Sequence, residues 1–108
     1  MIDWDRVNEL REEVGAEDFL EVAELFLEEV DELIRRLAAN PDPAELEENM
    51  HFLKGSALNL GFAQMAQACQ QGERAAAVGQ LDARGLNELL AIYEQSKSTF
   101  AAQENIKL

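Results

Sequence analysis

Apolar residues recur along this chain at the spacing of α-helices, in five runs separated by short breaks. The longest run carries Phe19, Val22, Ala23, Phe26, Leu27, Val30, Leu33, Ile34 and Leu37 at i, i+3, i+4 and i+7, which predicts a helix from about Glu17 to Ala39. At 1.5 Å per residue such a helix is on the order of 30 Å long. Before it, Ile2, Val7, Leu10 and Val14 share one face of a shorter helix that Asp3 can cap and Gly15 ends. After it, Asn40-Pro41-Asp42-Pro43 reads as a turn, with Asp42 as N-cap and Pro43 at the first helical position. A third helix then runs from about Pro43 to Leu60, and Gly61 fits its end. Met65, Ala66, Ala68, Cys69 and Ala76 are the small or flexible packers of a fourth helix, from about Phe62 to Ala77, which Gly79 ends. Asp82 can cap a fifth, whose stripe is Leu86, Leu89, Leu90, Tyr93 and Phe100.

Short connections force neighbouring helices antiparallel. The expected fold is therefore all-α, an up-down-up-down four-helix bundle of helices two to five with the short first helix over one end. Trp4 is expected to pack over that end. At 108 residues the chain is long enough for one domain, 1–108, with a modest core. Composition adds little to this, except that only two prolines and six glycines leave the helical reading undisturbed.

Charge changes the picture more. A net charge of −13 argues against nucleic acid, whose phosphates need clustered Lys and Arg, and against anionic membranes. Its bland meaning is a solvated set of helix faces, and its sharper one is a partner with a basic surface. No stretch approaches the ~20 apolar residues of a membrane span, and the start lacks the pattern of a signal peptide. One cysteine cannot form an internal disulfide, so a cytoplasmic location is expected, with Cys69 a small core residue. The chain opens with Met, as a free-standing protein would.

The third helix is where chemistry enters. With the only histidine, His51, at zero on a wheel of 100° per residue, Ala44, Glu47, Glu48, Lys54, Gly55 and Leu58 fall within about 60° of it. Leu46, Asn49, Leu53, Ser56, Ala57 and Leu60 fall on the opposite side. The imidazole should therefore look outward while the apolar stripe looks in. A neutral imidazole is a nucleophile toward phosphorus near neutral pH. Lys54, one turn on, offers an ammonium that can neutralise phosphoryl oxygens, or in the blander reading pairs with Glu47 or Glu48. Gly55 leaves room for a partner to approach, at a cost of about 1 kcal/mol against alanine.

Leu58 projects near His51 and could join a docking patch with Gly55, Glu47 and Glu48, although single surface leucines are ordinary. Ser56 lies about 140° from His51 and reads as a packing residue. Gly61 reads as a place where helices three and four turn or approach closely. Along the fourth helix, Gln67, Gln70, Gln71 and Arg74 are candidates to reach the imidazole. Glu47 and Glu48, beside a lysine, form no convincing metal set.

The run His51-Phe52-Leu53-Lys54-Gly55-Ser56 followed by Gly61 resembles the signature of histidine-containing phosphotransfer (HPt) domains, His-x-Leu-Lys-Gly-Ser-x-x-x-x-Gly. Phe19 to Glu28 looks like that family's second helix, and Cys69 to Glu73 sits where many members have Cys-x-x-Leu-Glu, so nearly the whole chain can be laid onto the pattern. Gly72 stands where a leucine is usual, which puts the regularity of the fourth helix in question. The resemblance implies a phosphocarrier of multistep phosphorelays. His51 would accept a phosphoryl group from a receiver-domain aspartate and pass it to another, with Lys54 neutralising it and the motif's Ser56 and Gly61 in support; Gln70 and Arg74 are supporting candidates from the fourth helix, whose rotation the sequence does not fix. It implies response-regulator receivers and a hybrid sensor histidine kinase as partners, Mg²⁺ supplied by the receiver, no metal site in this chain, and a monomer.

Two other classes compete. A receiver-binding module that takes no phosphate would be expected to have lost part of the His51-Lys54-Gly55 set. A small enzyme using His51 as general base lacks a second catalytic group and an obvious pocket. Nothing resembles a nucleotide-phosphate loop, so autonomous kinase activity is not expected.

Overall fold

A computed structural model of the protein describes residues 1–106, and these form five helices and no strand. They are α1 (Trp4–Val14), α2 (Phe19–Ala39), α3 (Leu46–Leu60), α4 (Ala63–Ala77) and α5 (Ala83–Glu104). The helix ends follow local chemistry. Asp3 and Asp82 are extended, and their carboxylates accept from the backbone N–H groups of Arg6 at 3.2 Å and Gly85 at 2.9 Å. Gly15 leaves α1 at φ +88°, and Gly61 closes α3 in the left-handed conformation at φ +80°.

One boundary differs from expectation by a full turn. Asp42 does not cap a helix that begins at Pro43. Its carboxylate accepts from the Ala44 N–H at 3.0 Å and its carbonyl from the Glu45 N–H at 2.9 Å, so residues 43–45 form a turn and α3 begins at Leu46. A short acidic side chain that bonds its own downstream backbone competes with the helix it might have capped.

Each of α2, α3, α4 and α5 packs on the next, and α5 packs back on α2, which closes a ring of four helices; α3 and α4 make the most extensive pair. The centre is filled by Leu27, Val30, Met50, Leu53, Met65 and Tyr93, all buried. Across the α2–α5 seam, Asp31 accepts hydrogen bonds from the Tyr93 hydroxyl at 2.5 Å and the Lys97 ammonium at 2.8 Å. Burial and the Asp31 carboxylate both push the Tyr93 hydroxyl up in pKa, so it stays a donor.

Helix α1 lies against α2 and α3 at one end. There Phe100 meets Phe62 edge-on at 5.5 Å, Phe19 at 6.4 Å and Trp4 in a near-parallel stack at 6.5 Å. Gly61 decides how close α1 comes. Its carbonyl accepts from the Asp3 N–H at 2.7 Å, and a Cβ at this position would sit 2.6 Å from the Asp3 carbonyl and 3.0 Å from Val7 Cγ2. This glycine therefore serves the seat of α1 as well as the α3–α4 turn.

Gly72 does not interrupt α4, which is continuous through it. Met50 of α3 takes the space a side chain would need, its Sδ lying 3.0 Å from where a Cβ would be. The irregularity expected there is absent, because glycine within a helix keeps the backbone ladder and costs only about 1 kcal/mol.

Candidate functional site

Helix α3 is two-faced as the wheel predicts. Leu46, Met50, Leu53, Ser56, Ala57 and Leu60 are buried, while Glu47, Glu48, His51, Gly55 and Leu58 are exposed. The side chain of His51 is 72% exposed. Ser56 sits on the core side, away from the imidazole. At Gly55 a Cβ would meet nothing within 4 Å, so no packing demand explains the missing side chain.

What the wheel could not show is Glu73. This residue of α4 reaches across to α3 with both carboxylate oxygens. Oε2 is 2.7 Å from His51 Nδ1, and Oε1 accepts from Lys54 Nζ at 2.7 Å. Lys54 is thus drawn off the solvent face toward α4 and is half-buried, paired with Glu73 and not with Glu47 or Glu48.

The Lys54 ammonium is the main reason the Glu73 carboxyl is held below the usual carboxylate value of 4.5; partial burial opposes this, and the bond to His51 adds to it. Glu73 is therefore ionised near neutral pH and can only accept. It follows that Nδ1 carries a proton and donates it, so that in the neutral imidazole the lone pair is on Nε2. Nε2 has no hydrogen-bond partner among the described residues.

Gln70 and Arg74, expected to support the site, are exposed, and neither bonds His51 or Lys54 among the described residues; Gln67 and Gln71 are exposed as well. The rotation of α4 explains the difference. Met65, Ala66 and Cys69 are its buried stripe, so one further turn brings Gly72 and Glu73 to the α3 seam and turns Gln70 and Arg74 outward. That stripe, read one turn further along the sequence, was the signal that could have singled out Glu73. Cys69 is inert by the same placement, since burial pushes its thiol up to about 12.

Between them, α3 and α2 leave a groove of about 470 Å³ lined by Glu29, Glu32, Leu33 and Arg36 of α2 with Glu48, Asn49 and Phe52 of α3; His51 does not line it. Phe52 is 44% exposed and Leu58 56%, so two large apolar side chains of α3 face solvent after His51, Leu58 on the same face two turns on. No group of three or more His, Cys, Asp or Glu side chains is gathered as a metal site among the described residues.

An exposed imidazole bonded through one ring nitrogen to Glu73, a lysine on the same carboxylate and a bare glycine come together on α3. A family model for the Hpt domain matches residues 21–99, most of the chain. The protein belongs to the Hpt domain family. Hpt domains are helical phosphocarriers of phosphorelay signalling, not kinases. The match covers most of α2, all of α3 and α4 and most of α5, and α1 lies before it. No curated protein and no solved structure matches the chain. Among the described residues, no helix of this Hpt protein is long and apolar enough to cross a membrane.

Proposed function

We propose that His51 is the phosphoryl acceptor of this Hpt domain and that Nε2 is the attacking atom. The observation that carries this reading is the 2.7 Å contact between Nδ1 and Glu73, which commits one ring nitrogen and leaves the other as an exposed lone pair. A receiver domain bearing phospho-aspartate docks on the face around His51, over Gly55, Glu47, Glu48 and Leu58. Nε2 attacks phosphorus in line, and the group later leaves to the aspartate of a second receiver.

Such transfer is mostly positioning and charge neutralisation. Lys54 has three N–H donors and uses one on Glu73, so the others are available to phosphoryl oxygens. The receiver brings its own Mg²⁺ and acidic pocket, and a hybrid sensor histidine kinase stands upstream. The carrier works as a cytoplasmic monomer, a single domain whose four main helices alternate up and down. Ser56 and Gly61 act through packing, the one in the α3 core face and the other at the α1 seat.

The test is phosphotransfer from a phosphorylated receiver domain, read by intact mass. The native protein gains one acid-labile, alkali-stable phosphoryl group and His51→Gln gains none. Binding of receivers without any transfer to the native protein would replace this reading with a phosphate-independent docking module.

A further inference from the structure

Glu73 does more than choose a tautomer. Resting on the assignment of His51 as acceptor, we propose that Glu73 keeps the proton on His51 Nδ1 after Nε2 has been phosphorylated, so that the carried phosphoryl group sits on an imidazolium and is ready to leave.

The electron accounting shows why this matters. On acceptance, the Nε2 lone pair forms the N–P bond while the P–O bond of the donor acyl phosphate breaks, its electron pair leaving on the donor carboxylate. The ring then carries a proton on Nδ1 and a phosphoryl group on Nε2 and is a cation. If it sheds the Nδ1 proton to water, the product is a neutral phosphoimidazole, and N–P cleavage must then expel an imidazolate anion. If the proton stays, cleavage returns the electron pair to Nε2 and releases neutral imidazole, with Nδ1 protonated as at the start. The second route has much the better leaving group.

The geometry favours retention. Glu73 Oε2 lies 2.7 Å from Nδ1, and a hydrogen bond from an imidazolium to a carboxylate is stronger than one from a neutral ring. The charged groups around the ring are few. From α3 there are Lys54, Glu47 and Glu48, and from α4 Glu73 with the exposed Arg74. From α2, Glu29, Glu32 and Arg36 line the groove between α2 and α3, and from α1, Arg6 is engaged with Glu13 and the Asn59 carbonyl. Lys54 alone among the bonded partners would oppose a second cation. Its Nζ is 2.7 Å from the other oxygen of the same carboxylate, which sets the negative charge of Glu73 between the two positive groups. Glu73 is a positioning residue that acts through the proton it holds.

The variant that isolates this is Glu73→Gln. A glutamine carbonyl can still accept from Nδ1–H, but it carries no charge to hold a proton on the cation. Native protein and variant are phosphorylated with phosphoramidate, which needs no receiver. The pH profile of dephosphorylation and the ¹⁵N shift of Nδ1 are then followed, with phosphorylated N-acetylhistidine alongside. The native phosphohistidine should keep its Nδ1 proton, and its lability, to higher pH than either comparison. On the alkaline side the variant should dephosphorylate more slowly, by about tenfold for each pH unit between the profiles. Glu73→Asp should move the profile back toward the native one.

Superimposable profiles for native and Glu73→Gln would overturn the proposal. If Glu73→Gln does not fold, a native Nδ1 proton lost at no higher pH than in phosphorylated N-acetylhistidine would overturn it equally. Should native His51 take no phosphoryl group from phosphoramidate or from a receiver, the assignment of the acceptor fails, and this inference with it, an outcome distinct from unchanged profiles on a phosphorylated protein.

Discussion

At the scale of single residues, the site is one carboxylate shared by two neighbours. Because the His51 side chain is 72% exposed, His51→Gln should abolish phosphoryl acceptance and yet leave unfolding within about 0.5 kcal/mol of native, measured by urea titration. Glu73 should show itself in stability against pH. Its folded pKa lies below the usual 4.5, so its contribution is fully present above that value and is lost as pH falls through 4.5 toward the lower folded value. Melting temperatures measured across acid pH should fall more steeply for the native protein than for Glu73→Gln. His51, Lys54 and Gly55 were legible as a set because all three lie on one helix, where spacing alone assigns a face. Glu73 was not, because its reach to them depends on how α4 is rotated against α3.

At the scale of helices, three glycines that look alike in sequence have three different reasons. Gly55 has open space around it and ordinary helical backbone, so Gly55→Ala should stabilise the protein by about 1 kcal/mol in chemical denaturation. Gly55→Gln should fold equally well but transfer phosphate from receivers more slowly, and unchanged transfer rates would remove the access argument. Gly61 combines φ +80° with a 2.6 Å approach to the Asp3 backbone, and Gly61→Ala should cost more than about 2 kcal/mol and loosen α1. Loss of Trp4 fluorescence protection at temperatures below the main unfolding transition would report that loosening. Gly72 is a packing glycine filled by Met50 from α3. Periodicity located all five helices, and apart from the start of α3 the ends it assigned lie within two residues of those observed. It failed by a turn at α3, where the Asp42 side chain had two backbone partners to choose between.

At the scale of the whole molecule, 22 acidic residues face nine basic ones. The ion pairs across helices use few of them: Asp31 with Lys97, Glu73 with Lys54, and Arg11 with Glu104, the last also placing the Arg11 guanidinium 4.4 Å from the Phe19 ring centroid. The remaining carboxylates repel one another across a small surface. Salt should therefore stabilise this fold: going from about 0.01 M to 0.15 M shortens the screening length from about 30 to 8 Å, and the melting temperature should rise by a few degrees. A melting temperature that falls with salt would mean that the cross-helix pairs outweigh the net repulsion.

Hydrophobic spacing was enough to establish five helices, an outward histidine with its lysine and glycine, and a buried cysteine, because each of these is a property of one helix and its periodicity. Tertiary structure decided the rest. Helix rotation at the α3–α4 seam chose Glu73 over Gln70 and Arg74 and turned Lys54 away from solvent. The seating of α1 gave Gly61 its second purpose, and Met50 filled the space left by Gly72. These depend on distances between segments far apart in sequence, and no periodicity within a single segment encodes them.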